Sequence, residues 1–310
     1  QMKPNVIDLF AGCGGFSHGF EQAGFNILAF VEWWEPAVQT FLKNHPTTKH
    51  LGRDITKIAN SQLLEYKGKT DIIIGGIPCQ GFSLAGKRDP KDKRNQLYLE
   101  FLRFVEVIEP RIAIIENVTG LLSMNAYDGE KVLYKLVHSL ICLNYFVSYR
   151  VLKASDYNVA QNRQRLIIIA KKIDAFPKPN ERKGTVLEAL HGISKETKIN
   201  ANIQFEITPK TVEKIKNLKQ GERISKHYVC SKQRLFGDRP SKTIVTKPMY
   251  IHPLEDRLLT PRELARLQSF PDDFFFCGSK TSMIKQIGNA VPPLMAKEIA
   301  LRIKEDFKDD

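Results

Sequence analysis

The chain has 310 residues, 42% of them hydrophobic, and a formal charge of +13 from 47 Lys and Arg against 34 Asp and Glu. That length suits one large domain plus a smaller one, and the apolar content excludes a disordered chain. Cys13, Cys79, Cys142, Cys230 and Cys277 are widely spaced, without paired metal-ligand spacing, and fit a reduced intracellular protein better than a disulfide scaffold; no signal peptide or membrane-spanning run is evident.

Asn5 to Phe10 can form a short strand, followed by Ala11-Gly12-Cys13-Gly14-Gly15 and a helix over Phe16 to Ala23. Glycine permits a close turn that brings a ligand to backbone N–H groups at a helix start, although a tight structural turn explains the glycines as well. The spacing is not the dinucleotide GxGxxG, which argues against nicotinamide or flavin binding. A second strand, Ile27 to Val31, ends at Glu32. An acid there can accept ribose hydroxyls or stay solvated. Pro36 opens a helix through Leu42, and Asp54-Ile55 follows a short loop.

Asp71 to Gly76 reads as a buried strand that ends in Ile77-Pro78-Cys79-Gln80-Gly81-Phe82-Ser83. Open α/β sheets place chemistry beyond the carboxyl ends of their strands, so Cys79 is positioned as a nucleophile; a packing cysteine is the plainer alternative. Leu84 to Gln96 is polar, rich in Lys and Arg, and suits a surface loop. A helix over Leu97 to Ile108 is ended by Pro110, and the strand Ile112 to Ile115 delivers Glu116-Asn117-Val118 to the same kind of strand end. A thiol and a carboxylate thus come together.

Lys131 to Leu143 has helical apolar spacing, Tyr145 to Leu152 reads as a strand, and Ala154 to Ala160 as a loop. Gln161-Asn162-Arg163-Gln164-Arg165 precedes the strand Leu166 to Ala170. Two positions apart on an extended segment, Arg163 and Arg165 share one face, where they can hold phosphate or a base carbonyl or remain surface arginines. From about Ala175 the character changes. Between Lys171 and Lys247 stand 18 Lys and Arg against 8 Asp and Glu, ten of the thirteen net positive charges. A polyanion is the expected partner; the lack of a long amphipathic stripe argues against a membrane. Thr260-Pro261-Arg262-Glu263 combines a cap, a first-turn proline and a capping box, and Phe270-Pro271 stops that helix. Gln286 to Pro292 is expected as a loop before a closing helix, Pro293 to Ile303.

These motifs, in this order, resemble the cytosine-C5 DNA methyltransferases from Val6 to Ile303, most weakly through Pro177 to Gly237. The resemblance implies an α/β, S-adenosylmethionine-dependent methyltransferase Rossmann-like mixed sheet with a small target-recognition domain. Residues 1–174 would be the first part of the catalytic domain, 175–248 the recognition domain, and 249–310 the hinge and C-terminal return to the catalytic domain. Cys79, Glu116, Arg163 and Arg165 would be catalytic, with Arg163 nearer the cytosine and Arg165 structural or phosphate-facing. Cofactor contacts are implied for Phe10, Gly12, Gly14 and Gly15, for Glu32 on the ribose, and for Trp33 rather than Trp34 beside the adenine. Asp54 would bind the adenine amino group and Ile55 cover the ring, with Pro78, Asn289, Ala290 and Val291 completing the pocket.

DNA contacts are expected from Ser83, Lys87, Arg88 and Arg94, in a loop that closes on DNA, and from Arg223, Lys226, Lys232, Gln233 and Arg234 in the basic segment. Ile77 departs from the family, where another proline is common. The implied reaction adds the Cys79 thiolate to cytosine C6 and takes a methyl group from S-adenosylmethionine, leaving S-adenosylhomocysteine, with no metal. The implied setting is a monomer on double-stranded DNA in the prokaryotic cytoplasm, at the nucleoid, beside a restriction endonuclease or alone as a regulator. A cytosine-C5 RNA methyltransferase and an inactive DNA-binding protein are the alternatives.

Overall fold

The apolar runs ending at Leu9, Gly76 and Asn117 become strands covered on both faces, as parallel strands joined by helical crossovers require. In the computed structural model, which describes residues 3–78, 97–126, 129–171, 176–225 and 231–307, the first five strands are β1 (Asn5–Leu9), β2 (Asn26–Val31), β3 (Lys49–Gly52), β4 (Ile72–Gly76) and β5 (Ile112–Asn117). After them come β6 (Val147–Lys153), the two-residue β7 (Gln161–Asn162) and β8 (Gln164–Ala170). Seven strands make one sheet in the order β3-β2-β1-β4-β5-β8-β6. The first five are parallel to one another; β8 runs antiparallel between β5 and β6. The sheet is therefore mixed, as expected.

Alternation along the strands divides the core into two layers. Val6, Ile74 and Ile114 face one side, where Phe20 of α1 (Gly15–Gln22) and Ile299 of α10 (Pro293–Lys304) join them. Their neighbours Ile7, Ile73 and Ile115 face the other, against Phe104 of α4 (Leu97–Ile108) and Leu136 of α5 (Val132–Cys142). Helix α2 (Glu35–Asn44) follows β2, while β3 and α3 (Asn60–Leu64) are short elements that the sequence reading passed over.

The second half holds α6 (Val186–Leu190), α7 (Pro209–Lys216), α8 (Pro261–Leu267) and α9 (Lys280–Asn289), with the short strands β9 (Gln233–Arg234), β10 (Ser241–Lys242) and β11 (Tyr250–Ile251). Strand β10 pairs with β7, and β11 with β9. Val186, Ile244, Leu264 and Ile287 share a third apolar cluster. The capping box of α8 forms as read: Glu263 N donates to Thr260 Oγ1 and Thr260 N to Glu263 Oε2. Fully buried Arg262 donates to the carbonyls of Asn200, Pro271 and Phe274, fastening the helix to the chain on both sides. One expectation changes. Gln286 to Asn289 is the last turn of α9 rather than loop, because Ser279 caps the helix and Met283, Ile284 and Ile287 recur at helical spacing. Among the described residues no helix is long and apolar enough to cross a membrane.

Closure of the chain depends on α10 lying against α1. A Cβ on Gly19 would stand 2.4 Å from Ala296 Cβ and 2.5 Å from the Pro293 carbonyl, so the helices approach at glycine. Alanine gains about 1 kcal/mol of helix propensity but overpacks a backbone contact that has little room to yield. Gly19→Ala should therefore destabilise the fold by about 1–3 kcal/mol net. Equilibrium urea unfolding checks this: an unchanged or raised midpoint would contradict the packing argument.

Candidate active site

The parallel strands β1, β2, β4 and β5 all end at one cavity of about 330 Å³, closed on another side by the end of α9. That size lies in the lower range of small-molecule sites. Immediately after β1 the backbone turns left-handed at Phe10, with φ 58°, and again at Gly12, with φ 57°. Both line the cavity. A Cβ on Gly12 would have nothing within 4 Å, so this loop keeps space open for a ligand. Gly12 N donates to Glu32 Oε2 and Trp34 N to Glu32 Oε1, each at 2.8 Å. Burial raises the pKa of the Glu32 carboxyl, and these backbone donors oppose it. Each oxygen retains capacity to accept from a ligand.

Trp33 stands at the rim with 66% of its surface exposed, whereas the Trp34 ring carries Lys285 Nζ at 4.4 Å. Asn289, Ala290 and Val291 also line the cavity. Gly14 and Gly15 do not. A Cβ on Gly14 would meet Phe41 at 2.9 Å and one on Gly15 the Val291 carbonyl at 2.4 Å, so both serve close packing of the loop.

Asp54 and Ile55, expected at the adenine, are also absent from the lining. The Asp54 carboxylate accepts from Thr56 N at 3.0 Å and Thr56 Oγ1 at 2.7 Å, bonds that lower its pKa and cap a short 3₁₀ turn. Ile55 is buried in the core. An Asp-x-Thr capping turn uses the acid locally.

Asp8 is a cavity residue that the sequence reading left without a role. It is buried, its Oδ2 accepts from Ser17 Oγ at 2.6 Å, and its Oδ1 has no hydrogen-bond partner. Burial pushes its pKa up to about 7; the Ser17 hydrogen bond pulls it down and the Glu32 charge adds to the rise. The available signal was an acid inside an apolar strand, one residue before the strand's end.

At the other end of the cavity, pairing of β4 with β5 puts Gly76 opposite Glu116. Asn117 Nδ2 donates to the Ile77 carbonyl at 3.3 Å and Val118 N to Asn117 Oδ1 at 2.7 Å, so the two strand ends are tied together just before Pro78. Glu116 Oε1 lies 2.7 Å from Arg165 Nε in a largely buried ion pair. Arg163, 2% exposed, donates through Nη1 to the Ile244 carbonyl at 3.3 Å, and its Nε has no partner. Burial lowers its pKa to about 9, helped by the Arg165 charge, which still leaves it a cation at neutral pH. Pro78, Glu116, Arg163 and Arg165 therefore line one cavity. Cys79, Ser83, Lys87, Arg88, Arg94 and Lys226 lie outside the described residues.

Arg234, expected on DNA, is instead buried inside the second half. Its guanidinium donates to the carbonyls of His252, Glu255 and Ile215 and to Asp256 Oδ1, which occupies it in holding those loops. Gln233 donates its amide to the Gly221 carbonyl at 2.6 Å, Arg223 forms an antiparallel bridge with Gln233, and the Lys232 carbonyl accepts from Ile224 N. The side chains of Gln233 and Arg234 thus hold a small β-structured fold together, and Arg223 and Lys232 join it through their backbone.

A family model described as C-5 cytosine-specific DNA methylase matches residues 4–305. The Type II methyltransferase M.DdeI of Desulfomicrobium norvegicum is 34% identical, over 98% of this chain and 89% of its own length. M1.HphI of Haemophilus parahaemolyticus, also a Type II methyltransferase, is 37% identical over 96% of this chain and 86% of its own. Among solved structures, an E. coli prophage protein described as a candidate DNA modification methyltransferase superposes with a TM-score of 0.83 at 28% identity, covering 98% of this chain and 99% of that one. The chain belongs to the C-5 cytosine-specific DNA methylases and is an S-adenosylmethionine-dependent DNA methyltransferase of the restriction-modification type.

Proposed function

We propose that the protein methylates a cytosine at C5 within a specific duplex sequence, after flipping it from the stack, through a covalent bond between Cys79 Sγ and C6. The observation that carries this reading is the convergence of Glu116, Arg163 and Arg165 with Pro78 in the cavity that also holds Gly12, Glu32 and Trp33. One cavity thereby offers a cytosine end and a cofactor end. Duplex DNA hides the ring face of cytosine, so the base must leave the stack to enter.

Cytosine C5 is a weak nucleophile in the aromatic ring. Thiolate addition at C6 breaks that aromaticity and makes C5 enamine-like. Glu116, oriented by Arg165, is protonated or shares a proton with N3, and so offsets the charge that develops on the ring. The unpartnered Nε of Arg163 marks a buried donor suited to the base carbonyl O2. S-adenosylmethionine supplies an electrophilic methyl group and leaves as S-adenosylhomocysteine. Loss of the C5 proton to water and departure of Cys79 then restore the aromatic base. For the cofactor, Glu32 takes the ribose hydroxyls, Trp33 covers the adenine, and the orphan Asp8 Oδ1 takes the ammonium of the methionine part. Gly12 leaves the room for this.

Residues 175–248, the most basic stretch, are assigned to target recognition, with residues 1–174 and 249–310 forming the catalytic domain. Modification protects host DNA from a partner endonuclease, and the protein acts as a monomer on the nucleoid in the cytoplasm of a prokaryote. The test is transfer of label from S-adenosylmethionine into a varied duplex pool, with modified cytosines mapped at base resolution. Wild-type protein should mark C5 at one recurrent motif, Cys79→Ala should mark none, and Glu116→Gln should lose about 10²–10⁴-fold in rate. Labelling of matched RNA alone would overturn the DNA reading, and undiminished transfer by Cys79→Ala the covalent one.

The Asp8 assignment has its own pH signature. Its carboxylate forms as pH rises through about 7, while a cofactor α-ammonium persists to about 8. Affinity for S-adenosylmethionine, measured by calorimetry, should strengthen from about pH 6 toward 7.5, and Asp8→Asn should flatten that rise. An identical pH profile in the variant would remove Asp8 from the ammonium site.

A further inference from the structure

Outside the cavity, His18, Glu21 and His45 bring three ligand atoms within 4.8 Å of one another. His18 and Glu21 are three residues apart on α1 and so share a face; His45 caps the C-terminus of α2. The His45 ring is buried; its Nδ1 meets Glu21 Oε2 at 3.1 Å, while its Nε2 has no hydrogen-bond partner. Its Nε2 points toward Gly14, 3.2 Å from where a Cβ would stand, so that nitrogen is walled in by the glycine loop and Nδ1 is left facing the carboxylate. His18 Nδ1 is likewise buried and without a partner, while its Nε2 meets the Gln22 amide at 3.1 Å. Buried imidazoles are rarely left in this state, because each unpaired nitrogen forfeits its hydration.

We infer that His18, Glu21 and His45 form a binding site for a divalent transition-metal ion of the zinc class. Two imidazoles and one carboxylate are the donor set that zinc, cobalt and nickel accept, whereas calcium and magnesium need oxygen ligands. Metal bonds of about 2.0–2.2 Å place tetrahedral donors roughly 3.3–3.5 Å apart, so side-chain adjustment of about 1 Å closes the site. Asp273 adds a further negative charge near His18, and Lys3 opposes it near Glu21. A bound ion would tie α1, which begins at the cofactor loop, to the end of α2. It takes no part in methyl transfer.

The test uses the full chain without an affinity tag, dialysed against chelator and titrated with Co²⁺ by visible absorption and with Zn²⁺ by calorimetry. One equivalent should bind with the visible bands of a nitrogen-ligated low-coordinate cobalt. Glu21→Gln and His18→Gln should each weaken binding by at least about tenfold, since losing even an outer-shell partner costs about 10–100-fold. Both positions reach the surface, and the circular dichroism of each variant checks that it is folded. Absence of those bands in the wild-type protein, or equal affinity in both folded variants, would overturn the site.

Discussion

The ion pair between Glu116 and Arg165 is the contact on which the Pro78 end of the cavity depends, and it exists only because β8 is antiparallel to β5. Arg165 lies near the start of β8 and Glu116 near the end of β5, so antiparallel pairing brings the two to one edge of the sheet. Had β8 run parallel, its first residues would sit at the opposite edge, roughly 20 Å away for a strand of this length at about 3.3 Å per residue. Desolvating two charges costs about as much as their attraction returns, so the pair adds little to stability. Its effect is geometric: it fixes the direction of a buried carboxylate in the cavity that Pro78 also lines.

Arg163 depends on more distant parts of the chain. It donates to the Ile244 carbonyl, and Ile244 N in turn donates to Gln161 Oε1 at 2.6 Å. Gln161 Nε2 donates to Gln268 Oε1 at 2.6 Å, and Gln268 Nε2 to the Ile287 carbonyl at 2.7 Å. Both glutamines are fully buried, so each unmade bond would leave an unsatisfied group in the core. Close approach of Gly288 to the Val245 backbone, where a Cβ would stand 2.7 Å from the carbonyl carbon, joins the same segments. The arginine beside the cavity is thus held by α8, α9 and the strand-like stretch near residue 244 together. One scaffold thus holds both Arg163 and the cavity wall formed by Asn289, Ala290 and Val291.

Which parts of this were legible depended on whether the signal was local. Strands of the parallel sheet announced themselves as apolar runs, and a carboxylate at the end of Ile112 to Ile115 needed only the rule that chemistry sits beyond strand ends. The capping box at Thr260 was equally local. Pairing of Arg165 with Glu116 was not, because it follows from strand direction across 49 residues of sequence. Arg234 reads like any basic residue of a DNA-facing segment, and only the carbonyls folded around it reveal a structural cation. At Asp54 a threonine two residues on engages Oδ1 in a local cap, a contact visible only once the turn is formed. Asp8 was hidden for the opposite reason: its strand reads as apolar, and the unpaired oxygen appears only in three dimensions.

Asp8 also shows how a cavity-lining acid sets stability against binding. Below the ordinary value of 3.8 this carboxyl is neutral whether the chain is folded or not, so stability at that group is at its fullest. As pH rises the unfolded chain ionises first, and the stability is lost progressively until the buried group itself ionises near 7. The free protein at neutral pH therefore holds a carboxyl poised between forms, beside Glu32, whose own ionisation burial also disfavours. A cationic ligand at Oδ1 reverses the sign, since it favours the carboxylate and binds only the folded chain. The group that weakens the empty site is the one that a cation can complete, so occupancy and folding draw on the same buried charge.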